Sequence, residues 1–185
     1  MRQPTSNRRN RAPSQGGFTL LELVVTMAIV GILLAVGIPS FQYVTKTDRM
    51  ASEINNLAGD MQFARAEAIK EGQTISVCAS VNQSTCSGSD TWNTGWIVYS
   101  GSGAQPAAGT ILRVRSPFTG GDTFQAADGT TSAFQFNREG FALNLAGTVT
   151  LRLHDSGHGS AYTRCLQLTL SGVPTAIANG VGACS

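Results

Sequence analysis

The chain has 185 residues, with 13 Lys+Arg against 11 Asp+Glu and a net charge of +2. That balance excludes a polyanion binder acting through bulk charge. Arg2, Arg8, Arg9 and Arg11 all fall within residues 1–17, and the remainder carries a net −2. No G-x-S-x-G, P-loop or G-x-G-x-x-G pattern is present. His154-Asp155-Ser156-Gly157-His158 holds the residue types of a catalytic triad, but in one short loop that does not aim them at each other. A non-enzymatic chain without a cofactor is expected.

Residues 1–17 hold the four arginines, no acid, and Pro4, Ser6, Pro13, Ser14, Gly16 and Gly17, which reads as an unstructured basic leader. From Phe18 to Ile38 the chain is apolar apart from Glu22. A helix of that length rises about 30 Å, the thickness of a bilayer's hydrocarbon core. A carboxylate there costs about 2.5–3.5 kcal/mol at the bilayer centre and less near the interface, so Glu22 calls for a partner. The arginines predict a cytoplasmic leader and a chain that continues on the other side. Two plainer readings compete. A secretory signal cut after Ala35-Val36-Gly37 conflicts with the length of the apolar run and with Glu22. A simple membrane anchor leaves Gly17-Phe18-Thr19-Leu20-Leu21-Glu22 unexplained.

That six-residue run resembles the class III signal of type IV prepilins. The resemblance implies cleavage by a prepilin peptidase between Gly17 and Phe18, and N-methylation of Phe18. It makes Glu22 the fifth mature residue, which in the family pairs with the N-terminal ammonium of a neighbouring subunit during filament assembly. Gly31 and Pro39 stand where many pilins carry helix-loosening residues. Residues 18–39 are then a transmembrane and filament-core helix.

Residues 40–72 read as the amphipathic continuation of that helix. Val44, Ala51, Ile54, Leu57, Ala58, Met61, Ala64 and Ala68 recur at spacings near three and four and share a face. Asp48, Arg49, Glu53, Asp60, Arg65, Lys70 and Glu71 are expected at polar positions elsewhere, and Gly72 is a suitable stop. Pro39 is expected to kink the helix without ending it.

Residues 73–185 have the texture of a β-rich domain. Thr74–Cys78, Gly95–Tyr99, Thr110–Arg115, Ser132–Phe136, Gly147–Leu153 and Arg164–Leu170 are short and mostly alternating, and turn residues separate them. One long helix followed by strands at this spacing argues an α+β fold, with an antiparallel sheet or two packed on the helix. Phe63-Ala-Arg65-Ala-Glu-Ala68, Trp92-Asn-Thr-Gly95-Trp96 and Phe134-Gln-Phe136-Asn137-Arg-Glu-Gly140 resemble the FimT and pseudopilin-H family of minor pilins. The type IV pilin fold follows from that resemblance, as does a periplasmic domain on a single inner-membrane span.

Cys78, Cys86, Cys165 and Cys184 all follow the span, where an oxidising periplasm favours disulfides. Four cysteines allow three connectivities. The local pairs Cys78–Cys86 and Cys165–Cys184 are preferred, the second tying down a Gly-rich tail. Zinc is not expected: no C-x-x-C occurs, and His154 and His158 share one loop.

The resemblance implies a minor pilin that primes or caps a type IV pilus. It serves pilus biogenesis and twitching motility, with transformation as an associated role. Its partners are prepilin peptidase, other minor and major pilins met through the N-terminal helix, and an inner-membrane assembly platform. The nearest alternative is pseudopilin H of a type II secretion system. A further alternative is a DNA-binding minor pilin. Some family members bind DNA through a Gly-Arg-x-Arg turn, but here Ser171-Gly172-Val173-Pro174-Thr175 lacks both arginines. Arg113, Arg115, Arg138, Arg152 and Arg164 remain as candidate phosphate contacts, which need several cations on one face.

Overall fold

The computed structural model describes residues 17–157, 162–178 and 184. The leader, His158 and most of the Gly-rich tail lie outside the described residues. Helix α1 runs unbroken from Leu20 to Glu71 with Pro39 inside it. Among the described residues nine strands follow: β1 (Ile75–Ala79), β2 (Trp96–Ser100), β3 (Ile111–Arg115), β4 (Thr123–Ala126), β5 (Ala133–Phe136), β6 (Ala142–Leu143), β7 (Val149–His154), β8 (Arg164–Leu168) and β9 (Pro174–Ala178). They form an antiparallel five-stranded sheet of order β3-β2-β1-β5-β6 and an antiparallel four-stranded sheet of order β4-β7-β8-β9.

The chain divides into two units, residues 1–42 and 43–185. The first, as far as it is described, is the apolar start of α1. Its Thr19-Leu20-Leu21-Glu22 order is that of a capping box. Thr19 Oγ1 accepts the Glu22 N–H at 3.2 Å, and the Thr19 carbonyl accepts the Leu23 N–H, also at 3.2 Å. The first bond meets one of the four free N–H groups of the helix start, and the second is the first regular bond of the helix.

In the second unit the remainder of α1 packs against both sheets. Met50, Ile54, Leu57, Met61, Ala64 and Ala68 are buried, and they meet Ile75, Val77, Trp96, Phe134 and Phe136 from one sheet. Phe124, Leu151, Leu153, Leu166 and Leu168 come from the other. The spacing of three and four therefore does place one face of the helix in the core. Its content differs from expectation at four positions, one of them Met50, which is buried although it is outside the expected stripe. Val44 is 51% exposed, whereas Glu53 and Asp60 are buried at 7% and 0%. β4, β6 and β9 also escape the strand patterns, because Thr123–Ala126 and Ala142–Leu143 are too short to show alternation and β9 opens on Pro174.

Gly72 takes φ +66° just past the helix, the left-handed conformation of a C-terminal stop. The Phe134–Gly140 motif is a strand and its turn. Asn137 Oδ1 accepts the N–H groups of Glu139 and Phe141, the Gly140 N–H donates to the Asn137 carbonyl, and Arg65 Nε donates to the Gly140 carbonyl at 2.8 Å. Gly140 has φ +82°, and a Cβ there would press on Ile69 of the helix. Arg65 and Gly140 thus join the helix to the β5–β6 turn.

Disulfides link Cys78 to Cys86 and Cys165 to Cys184. The first closes the loop after β1. The Gln105 side chain adds a second closure there, accepting the Cys86 N–H and donating to the Cys86 carbonyl. Replacing Cys78 and Cys86 together with serine is expected to lower stability by about 2.5 kcal/mol, the chain-entropy value for so short a loop. Urea unfolding of the full chain in detergent measures it, and an unchanged midpoint would contradict it.

Candidate functional site

Two places in the chain carry functional residue types: the start of α1, and a set of ionised groups between α1 and the sheets. At the helix start Phe18 is 83% exposed and Leu20 81% exposed. Exposed apolar side chains continue through Leu23, Ile32, Ile38 and Phe41. Such a run on a water-facing protein is far beyond the apolar patch a monomer tolerates, and it requires lipid or other subunits around it. The candidate peptidase and methylation residues Gly17 and Phe18 lie directly ahead of the helix. Glu22 lies in its first turn, and among the described residues no ion pair reaches the Glu22 carboxylate.

The second place is centred on Asp60, which is fully buried. It accepts hydrogen bonds from Trp96 Nε1 at 2.9 Å, Arg113 Nη1 at 2.9 Å and Arg115 Nε at 2.7 Å. Burial pushes the Asp60 carboxyl up, but the Arg115, Arg113 and Trp96 hydrogen bonds outweigh it and hold it below the usual carboxylate range. Arg113 also stacks on Phe63, 3.6 Å from the ring centroid. One carboxylate on the helix thereby fixes two strands of the five-stranded sheet.

Nearer the start of this unit, Arg49 forms a two-pronged ion pair with Asp122, Nε–Oδ2 at 2.7 Å and Nη2–Oδ1 at 2.8 Å. Glu53 lies one turn along from Arg49, 4.0 Å from its Nε, and its Oε2 is buried with no hydrogen bond. Burial, with repulsion from Asp122, raises the Glu53 carboxyl to about 7 against the attraction of Arg49.

The five candidate phosphate-binding arginines do not share one face. Arg113 and Arg115 are engaged by Asp60, and Arg138 pairs with Glu139 at 2.7 Å. In the β7–β8 ladder Arg152 lies opposite Cys165 while Arg164 lies opposite Leu153. Directly opposed residues share a face and neighbours along a strand alternate, so Arg152 and Arg164 point to opposite sides of the sheet. Glu53, Asp60 and Asp122 are the charged groups that the sequence patterns missed. The available signal was spacing: Glu53, Leu57, Asp60 and Ala64 follow one another at four, three and four residues, on the apolar stripe itself. Among the described residues no group of three or more His, Cys, Asp or Glu side chains gathers to hold a metal.

A helix with an exposed apolar start, followed by two antiparallel sheets, defines a pilin-type subunit. Residues 13–38 match the model for the prokaryotic N-terminal methylation motif. Residues 53–172 match the model described as type II transport protein GspH, and the chain belongs to that family. Its structure is similar to the type IV minor pilin FimU of Pseudomonas aeruginosa, with a TM-score of 0.57 at 20% identity, covering 71% of this chain and 90% of that one. It is also similar to the minor pseudopilin EpsH of Vibrio cholerae, with a TM-score of 0.50 at 12% identity, covering 71% and 98%. At these identities the likeness is one of fold. A fimbrial protein of P. aeruginosa is 37% identical over 62 residues, and EcpC of Eikenella corrodens 45% over 53 residues. Those stretches span 40% and 34% of the two relatives' own lengths, and 34% and 29% of this chain.

Proposed function

We propose that this chain is a minor pilin of a type IV pilus, which primes or caps the filament after its leader is removed. The observation that carries the reading is the combination at the helix start: Gly17-Phe18, Glu22 in the first turn, and an apolar helix face left exposed ahead of a GspH-family head. In this account prepilin peptidase cuts after Gly17 and Phe18 becomes the methylated N-terminus. The precursor waits in the inner membrane with its head in the periplasm, and an assembly platform moves the helix into the filament. Glu22 then meets the ammonium of a neighbouring Phe18, which offsets the penalty of a carboxylate in hydrocarbon.

A second reading, pseudopilin H of a type II secretion system, is supported by the description of the matching family model. Gene deletion with complementation separates them. Glu22→Ala and a Gly17 substitution that blocks cleavage are each expected to leave surface pili and twitching lost while secretion is normal. Lost secretion with intact pili would move the assignment to the pseudopilin. Intact pili with lost transformation would instead favour the DNA-binding alternative.

A further inference from the structure

The buried apolar stripe of α1 begins at Met50, but the helix already meets the rest of the head before that residue. Tyr43 packs on Tyr162, from the segment between β7 and β8, with ring centroids 5.6 Å apart and planes at 51°. Lys46 Nζ lies 5.4 Å from the Tyr162 centroid and 3.7 Å from Asp155 Oδ2. These side chains are not enclosed. Tyr43 is 54% exposed and the Lys46 side chain 41%, while Tyr162 is half-buried at the margin of the core. Asp155 is buried, so the charge presented to the outside by the Lys46–Asp155 pair is the ammonium. Apolar rings with polar tips, and an ammonium on a long apolar stem, suit a boundary between water and an apolar phase.

Chain length alone puts such a boundary here. The apolar run ends at Ile38, and Tyr43 follows it by about 8 Å at helical rise. The headgroup layer on one side of a bilayer is roughly 5–8 Å deep, so Tyr43 falls at that layer. Lys46 stands about 12 Å beyond Ile38, and its stem brings the ammonium back toward the lipid phosphates. Tyrosine is the residue type enriched at this depth. Phe141 offers a contrast within the head. It is also 54% exposed, but its turn is joined to Arg65, about 33 Å along the helix from Tyr43.

We infer that Tyr43, Tyr162 and Lys46 form a lipid seat, which rests in the phospholipid headgroup layer of the membrane that α1 enters. The two rings lie at the glycerol level and the Lys46 ammonium meets lipid phosphate. Tyr162 is the informative member. It is far along the chain from the span and reaches the headgroups only because it packs on Tyr43. The seat therefore holds the head to the lipid surface, in addition to the hold of the span on the lipid interior. The tether is what favours lipid over a protein partner: an inserted span keeps this surface at the bilayer with no second chain required. The inference rests on insertion of residues 18–38 and is independent of whether the machine is a pilus or a secretion system.

The test uses the full chain in liposomes of phosphatidylethanolamine and phosphatidylglycerol. A benzophenone amino acid is placed singly at Tyr162, Phe141 or Ile32, and lipid adducts are measured by mass spectrometry after irradiation. Ile32 reports insertion of the span, and Phe141 reports casual contact by an exposed ring. Tyr162 is expected to yield lipid adducts about tenfold above Phe141. Adding Lys46→Gln should lower the Tyr162 yield by up to about fivefold and leave Ile32 unchanged. A Tyr162 yield no higher than that of Phe141, with Ile32 labelled, would overturn the inference, and so would a Tyr162 yield indifferent to Lys46→Gln. Adducts at Tyr162 that are only protein would overturn it too and give the surface to a neighbouring subunit. Failure to label lipid from Ile32 would overturn the span itself, and the seat with it.

Discussion

Replacing Asp60 with alanine is expected to destabilise the head by about 3 kcal/mol, toward the lower end of the range for breaking a buried ion pair. The reason is the asymmetry of the site. Asp60 is fully buried and is the shared acceptor of Trp96, Arg113 and Arg115, so its removal strands three donors at once. The two guanidiniums are 43% and 41% exposed and recover some hydration, which keeps the loss from being larger. The loss should also depend on pH. The folded carboxyl is held below its ordinary value, so its contribution is complete above the unfolded value of about 3.9 and fades as the pH falls through the folded value. Urea unfolding of the full chain in detergent, followed by emission of Trp92 and Trp96, measures both. An unchanged midpoint at neutral pH would show that the helix is held to β2 and β3 by apolar packing alone.

Glu53 predicts the opposite sign. Its folded carboxyl is raised from 4.5 to about 7, so the native state holds a proton that the unfolded chain has released. Its contribution to stability is present below the unfolded value and is lost as the pH rises through about 7. Glu53→Gln keeps the shape and removes the titration. It should match the native chain near pH 4 and exceed it above pH 8 by an amount on the order of 3 kcal/mol at most. A stability difference that stays flat from pH 5 to above 8 would mean that Glu53 is ionised throughout and satisfied by Arg49.

These two residues also show where the sequence could be read and where it could not. The apolar run from Phe18, the stripe from Ile54 to Ala68 and the six longer strand patterns are local, periodic features, and they locate the helix and most of the two sheets. Asp60 and Glu53 defeat the same logic, because a carboxylate on an apolar stripe is interpretable only once its partners are known. Those partners, Arg113, Arg115 and Asp122, lie far along the chain. The five arginines make the same point from the other side: the sequence left open whether they converge on one face, while register and pairing disperse them over two sheets and the β5–β6 turn. At Gly17, Phe18 and Glu22 the candidate site was legible because the signal is a contiguous motif needing no tertiary context.

The central claim is that Phe18 is the working N-terminus of a filament subunit. Tandem mass spectrometry of the N-terminal peptide, from the protein purified out of its native envelope, tests this most directly. The account predicts a chain that begins at Phe18 and carries an N-methyl group. A chain that retains Arg8, Arg9 and Arg11, or one that begins at Ile38 as a secretory cut after Gly37 would leave it, would contradict the account.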